Sequence, residues 1–337
     1  MNEKLTKQKL SINETTLNPP IFICGEGRSG TRLIRNLLGK HKNIFEIQRE
    51  TYIYGTKSIR SQKLFDRFEK NKIFDQLTLA ILTAMHYKKD ITYKKIKSKD
   101  FDHLTLSLFN EINKLKEYTE AKSKYDCFNL CANYLTYKNS KLRWVEKTPS
   151  NIYNTDAILD SYPNAKIIAI YRDPRAVCLS WQKKDKSKSL LGSAISWNSS
   201  MKTMLGNLQT HKRNIISVKY EDLIIKPEET IKMICTFINE DYEPAMLEDI
   251  KVVNTYFDDS KKIGLDTTPI TRWKSILKSN EKLFIDCTTR KYRQIVGYED
   301  SNSNSSSSLY LNLAFYSIFE TIKLIIKKTS KLLKNEI

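Results

Sequence analysis

The chain is predicted to be an α/β protein: a parallel sheet flanked by helices, with a helical insertion and a C-terminal amphipathic helix. Three observations predict it. Short apolar runs end in turn residues and give way to helical periodicity, at Ile21–Cys24 and again at "AKIIAIY" and "IISVKY". Between the first run and the later ones, residues 52–143 repeat hydrophobic residues at helical spacing with lysines between them. The last residues carry a single apolar stripe beside lysines.

Taken in order, residues 1–18 are polar and are expected to be flexible, ahead of an α/β domain over 19–300. From Pro19 to about Glu50 the pattern is strand, loop, helix, strand. In 52–143, Phe65, Phe68, Ile73, Phe74, Leu77, Leu79, Ile81 and Leu82 recur as on helices, and the aromatic residues read as core. The α/β rhythm resumes at "LRWVEKTPSNIY", with a helix over about 151–161, the strand "AKIIAIY", the turn "RDPRAV" and a helix to Lys184. A helix over 190–211, the strand "IISVKY" and a helix with Pro227 near its start follow. "SNSNSSSS" at 301–308 reads as a linker. Over 309–337, Leu311, Phe315, Ile318, Ile322, Ile325 and Leu332 fall on one stripe, with Lys323, Lys327, Lys331 and Lys334 largely off it. Such a basic amphipathic helix either makes a peripheral contact with an anionic membrane or docks on the domain.

The chain has 337 residues, enough for one large α/β domain or two modest ones. Its net charge of +19 favours an anionic partner such as a nucleotide, an acidic glycan, nucleic acid or a membrane. A general abundance of lysine accounts for part of that charge. The charge is dispersed and no RNA-reading aromatic motif accompanies it, so no nucleic-acid partner is expected. Cysteines stand at 24, 127, 131, 178, 235 and 287. Cys127 and Cys131 share a helix face, but no nearby pair of His or Cys completes a zinc set, and no metal is expected. Reduced structural thiols and a cytoplasmic setting fit this pattern. The stretch "MNEKLTKQKLSINETTLNPP" has no apolar core for a signal peptide.

The stretch "IFICGEGRSGTRLIRNLL" reads as a phosphate cradle. A glycine turn at a strand's end lets backbone N–H groups converge on an oxyanion, and the following helix adds its positive end. Gly25 and Gly30 have the separation of the two glycines in a P-loop, yet Thr31 and Arg32 stand where the nucleotide-triphosphate pattern demands Lys and Ser/Thr. Arg28 sits within the loop, where its planar fork suits a tetrahedral anion, and Ser29 and Thr31 supply hydroxyls. A second anion site is predicted at "YRDPRAVCLSW". Arg172 follows a buried strand, Asp173 suits the N-cap and Pro174 the first helical position. Ser180, nearly two turns on, returns to the cap's face to share an anion with Arg172. Two anion sites at strand ends of one sheet imply a ligand with two separated phosphates at the sheet's carboxyl edge.

"CGEGRSGTRLIRNLL" resembles the 5′-phosphosulfate loop of the sulfotransferases, and "YRDPRAVCLSW" is similar to their 3′-phosphate motif. The resemblance covers roughly 19–51 and 143–300 and is greatest to the branch holding protein-tyrosine and bacterial carbohydrate sulfotransferases. It implies 3′-phosphoadenosine 5′-phosphosulfate (PAPS) as sulfuryl donor, with Arg28, Ser29, Gly30, Thr31, Arg32, Arg172 and Ser180 binding it. Arg32 replaces a second Thr of that branch. Within "HKNIFEIQRET", Glu50 matches the acidic catalytic base, with Glu46 a rival because one extra residue separates Glu50 from the loop. "EKTP" puts Lys147 near the transferring group, and Lys184 stands where an Arg is common. "KYEDL" offers Tyr220, and "PITRWKSIL" resembles a late loop that closes on the cofactor through Arg272. The implied reaction is an in-line displacement with Glu50 as base and Arg28 and Lys147 stabilising charge. The implied acceptor is a hydroxyl, first of a glycan or lipid-linked glycan and second of a peptide tyrosine, with residues 52–143 walling its pocket. A P-loop kinase or NTPase is the competing class; the absent Walker lysine argues against it.

Overall fold

The computed structural model describes residues 17–55, 67, 70–71, 74–86, 103–186, 188–248, 250, 265–301, 317–318, 320–322 and 325. The expectations for residues 1–16, for Phe65, Phe68 and Ile73, for most of the 301–308 linker and for most of the C-terminal helix lie outside the described residues.

The chain runs β1 (Ile21–Gly25), α1 (Thr31–Leu38) and β2 (Ile44–Glu46), then α2 (Phe74–His86), α3 (His103–Ile112), α4 (Lys116–Glu120) and α5 (Lys124–Lys138). Next come β3 (Arg143–Lys147), a 3-10 turn over Pro149–Asn154, α6 (Thr155–Ser161), β4 (Lys166–Tyr171), α7 (Pro174–Lys184) and α8 (Leu190–Thr210). It continues with β5 (Ile215–Lys219), α9 (Tyr220–Ile225), α10 (Pro227–Ile238), α11 (Thr268–Ile276) and α12 (Ser279–Ile295). The strands form one parallel five-stranded sheet in the order β2-β3-β1-β4-β5. In register, Ile21 faces Val145 and Ile44 faces Arg143. Every residue of β1 and β3 is buried, as expected of strands covered on both faces.

Two stretches differ from their expected form. The predicted helix over 151–161 is split: Pro149 starts a 3-10 turn, and the α-helix proper begins at Thr155. The predicted late loop at 269–277 is largely helix α11, with Pro269 in its first turn and Asp266 accepting from the Thr268 N–H at 2.9 Å just before it. That acceptor and proline form an ordinary helix start.

Two compact units divide the chain. The first takes the described residues of Met1–Cys24 and Thr31–Ile168, the second those of Gly25–Gly30 and Ala169–Ile337. In the first, Phe22 meets Trp144 edge-on at 5.2 Å and Tyr54 at 5.9 Å, and Phe128 meets Trp144 at 5.5 Å. Aromatic residues from the helical region and from the strands thus build one core, each pair adding about 0.5–1.5 kcal/mol beyond its buried area. A capping box of Ser123 and Asp126 starts α5. In the second unit, Cys178 and Leu179 of α7, Ala194 of α8, Trp273 of α11 and Phe284 and Ile285 of α12 share a core. All six cysteines are free thiols; Cys287 is exposed and the others are buried.

Candidate functional site

In the second unit the glycine turn after β1 is pressed against its neighbours. Gly25 has φ +131°, and a Cβ there would stand 2.1 Å from the Ile170 carbonyl oxygen. Gly30 has φ +99°, and a Cβ would stand 2.5 Å from the Tyr220 ring. Only glycine satisfies both the backbone angle and the space. Gly25→Ala is therefore expected to destabilise the protein by about 2–3 kcal/mol or more, read as a lowered thermal midpoint. Arg28, between the glycines, also holds a positive φ of 75°, the kind of backbone strain that persists where surrounding structure enforces it. Ser29 is fully buried and its Oγ has no hydrogen-bond partner. A buried, unsatisfied hydroxyl inside a cradle of this shape suits an anionic ligand oxygen.

The loop's underside rests on a carboxylate that the sequence did not single out. Glu26 is buried and accepts hydrogen bonds from Trp181 Nε1 at 3.3 Å and Ser196 Oγ at 3.0 Å. Burial raises its pKa above the usual carboxylate value, against the pull of these bonds and of Lys188. Trp181 covers Gly27 so closely that a Cβ there would meet its ring at 2.7 Å.

Arg172 is brought to this loop by the end of β4. Trp197 Nε1 donates to its carbonyl at 2.9 Å, and Asp173 Oδ1 caps α7 by accepting from the Arg175 N–H at 2.8 Å. The Arg172 guanidinium donates to the Arg28 carbonyl at 3.2 Å and to the Pro269 carbonyl, and its centre lies 4.3 Å from the Tyr220 ring centroid. Arg28 Nε in turn donates to Ser180 Oγ at 3.0 Å. The loop and the α7 motif, expected as two separate anion sites, thus meet in one cluster of Arg28, Arg172, Ser180 and Tyr220. Arg272, half-buried on α11, acts on the Tyr220 phenol as Arg172 does. Burial raises that phenol's pKa, and the two cations oppose it. Lys184 is not brought in. It is the exposed last residue of α7, with its ammonium 5.1 Å from the Trp181 ring.

Beneath this cluster Arg175 pairs with Asp173 at 2.8 Å and lies 3.4 Å from Asp286. Glu221 accepts from the Asp173 N–H at 3.2 Å and from the Tyr298 hydroxyl at 2.6 Å. These buried groups hold the end of β4 in place.

In the first unit, Thr31 is buried and Arg32 exposed in the opening turn of α1. Nearby, Lys147 at the end of β3 is buried and its ammonium pairs with Glu50 Oε1, while the Tyr52 hydroxyl donates to Glu50 Oε2. Burial pushes the Glu50 pKa up, but the charge and hydrogen bond of Lys147, the Tyr52 bond and the charge of Arg32 outweigh it, leaving the carboxyl below its usual value. Burial lowers the Lys147 pKa, Glu50 opposes, and Arg35 and Arg32 add to the lowering. Tyr52 has a φ of 53°. The backbone around it is tied to β3 by Glu146, a second carboxylate that sequence reasoning missed. Glu146 is fully buried and accepts from the Thr51 N–H at 3.2 Å, Thr51 Oγ1 at 2.9 Å, Asn151 Nδ2 at 2.8 Å and Thr148 Oγ1. Glu46 has a different setting: its carboxylate lies 2.6 Å from Arg35 Nε and against Gly39, bracing β2 on α1.

Each unit offers its own chemistry. The cluster of guanidinium groups, hydroxyls and turn amides suits a doubly anionic ligand, and the ionised carboxylate beside a buried ammonium suits proton removal with charge stabilisation. Among the described residues no group of three or more His, Cys, Asp or Glu is arranged to hold a metal.

The profile described as "Sulfotransferase family" matches residues 19–244. Two nematode proteins carrying the provisional name protein-tyrosine sulfotransferase are similar. That of Caenorhabditis briggsae is 26% identical over 188 residues, covering 52% of this chain and 67% of its own. That of Caenorhabditis elegans is 26% identical over 195 residues, covering 53% and 75%. Among solved structures, the sulfotransferase domain of the Synechococcus PCC 7002 olefin synthase aligns with a TM-score of 0.56 at 18% identity, covering 87% of this chain and 99% of its own. The sulfotransferase domain from the curacin biosynthetic pathway aligns at 0.54 and 19%, covering 85% and 99%. At such identities these structures speak to the fold alone.

Proposed function

The chain belongs to the sulfotransferase family, and from that premise we propose that it transfers the sulfuryl group of PAPS to a hydroxyl of a glycan or lipid-linked glycan. The observation that carries this reading is the joined cluster of Arg28, Arg172, Ser180 and Tyr220 beside the buried, unsatisfied Ser29 hydroxyl. Arg172, Ser180 and Arg28 would hold the donor's 3′-phosphate, with Arg272 adding charge. The amides and hydroxyls of Ser29, Gly30 and Thr31 would hold its phosphosulfate, with the positive end of α1 behind them. The donor supplies an activated sulfuryl group on a phosphosulfate linkage.

Glu50 is the proposed base. It takes the acceptor's proton as the acceptor oxygen bonds to sulfur and the bond from sulfur to the phosphate oxygen breaks, releasing adenosine 3′,5′-bisphosphate. Lys147 offsets charge on the leaving oxygen. Glu50 is preferred to Glu46 because Glu46 is taken up by Arg35, whereas Glu50 is ionised next to a buried lysine.

An acidic or partly sulfated glycan suits the net charge of +19. A peptide tyrosine is the second reading, favoured by the name of the nematode relatives. The donor is tested by thermal shift. Adenosine 3′,5′-bisphosphate in the presence of chelator is expected to raise the melting temperature, and ATP with Mg²⁺ is not. Stabilisation by ATP with Mg²⁺ alone would overturn the reading in favour of a kinase or NTPase. The acceptor is tested by mass comparison of glycans and lipids from deletion and wild-type cells: a sulfated glycan missing from the deletion supports the first reading, and a missing sulfotyrosine the second.

A further inference from the structure

The helical residues near the C-terminal end turn the unexpected side outward. Glu320 is 0% exposed, and its carboxylate accepts from the Leu191 N–H in the first turn of α8 at 3.3 Å. Ile318, Ile322 and Ile325 have the spacing of a single helix face, and they are 59%, 49% and 57% exposed. At about 100° per residue, Glu320 lies on nearly the opposite side from this stripe. A helix that docks for stability alone buries its apolar face and leaves its carboxylate in water. Here Glu320 is seated against α8 and the three isoleucines face out. Ile195, one turn along α8 from Leu191, adds a further isoleucine at 49% exposure. The last turn of α7 and the segment leading from it to α8 present Lys183, Lys184 and Lys186 exposed.

We infer that this stripe is a membrane-surface contact that seats on an anionic lipid bilayer. Exposed apolar residues on a unit that also exposes Lys183, Lys184 and Lys186, in a chain of net charge +19, suit the boundary between acyl chains and acidic headgroups. A second copy of the chain, carrying the same positive charge, is the poorer match. Among the described residues no helix is long and apolar enough to cross a membrane, and the contact proposed is interfacial. It does not depend on the transfer reaction.

The test is co-sedimentation of the full chain with vesicles. Vesicles of equimolar phosphatidylcholine and phosphatidylglycerol are expected to carry down the wild type at low salt, and phosphatidylcholine vesicles far less. The combined variant Ile318→Ser, Ile322→Ser, Ile325→Ser is expected to lose roughly tenfold or more in vesicle affinity. Lys183→Glu with Lys186→Glu is expected to weaken binding and flatten its salt dependence. Both variants change exposed positions, and an unchanged melting temperature shows that they fold. Failure of the wild type to sediment with acidic vesicles, or sedimentation of the isoleucine variant like wild type, overturns the inference. So does a wild-type dimer that the isoleucine variant converts to monomer without any vesicle binding.

Discussion

Replacing Glu50 by Gln is expected to lower sulfuryl transfer about 100- to 10,000-fold, the usual contribution of a positioned general base. Binding of adenosine 3′,5′-bisphosphate should stay within about twofold, since the amide keeps the shape and only the base is lost. The measurement is transfer of radiosulfate from labelled donor to extract of deletion cells, alongside calorimetric titration with the bisphosphate. Unimpaired transfer would remove Glu50 from the chemistry. The pH profile carries a sign as well. A base must be ionised to work, so a pKa held below the usual carboxylate value keeps the acid limb of the rate profile low. Lys147→Met removes the main influence opposing burial, and the limb should move to higher pH. A limb that stays in place would place the titrating group elsewhere.

Arg172→Ala is expected to weaken donor binding by about 2–4 kcal/mol, or roughly 30- to 1,000-fold in Kd. Arg172 is buried, bonds the carbonyls of Arg28 and Pro269 and lies over Tyr220. Its removal takes away both a cation and the group that aligns the loop with the start of α11. Arg172→Lys should recover only part of the affinity, because a point charge cannot reach two carbonyls and an anion in one plane. Titration with adenosine 3′,5′-bisphosphate reads the effect, and an unchanged Kd would exclude Arg172 from the 3′-phosphate site.

Much of this was legible in short stretches of sequence, where local chemistry dictates local form. The turn from Gly25 to Gly30 followed by a helix, and Asp173 with Pro174 after a buried run, are start and stop signals that act within a few residues. The order β2-β3-β1-β4-β5 was not legible, because alternating strands and helices specify parallel pairing without specifying neighbours. Nor was the bond from Arg28 to Ser180, which joins residues far apart in sequence and turns two expected sites into one. Glu146 stands out less within "EKTP" than the lysine beside it, which the family resemblance marks. A carboxylate in a strand buried on both faces was itself the signal, since such a group must gather donors, as it does from Thr51, Thr148 and Asn151. The helix at Thr268–Ile276 was misread as loop although Asp266 and Pro269 announce it.

The close fit of Gly25 against the Ile170 carbonyl has a consequence for how the chain matures. The glycine turn leaves the ribosome early, but the surface that shapes it belongs to a strand made only after the whole helical region and β3. Closing that contact brings together distant parts of the polypeptide, a step that slows folding relative to local helix formation. Nascent chains halted before β4 should therefore display helices yet fail to retain the bisphosphate on an affinity resin, acquiring that capacity only once Ile170 and the later residues of the cluster, through Arg272, have emerged.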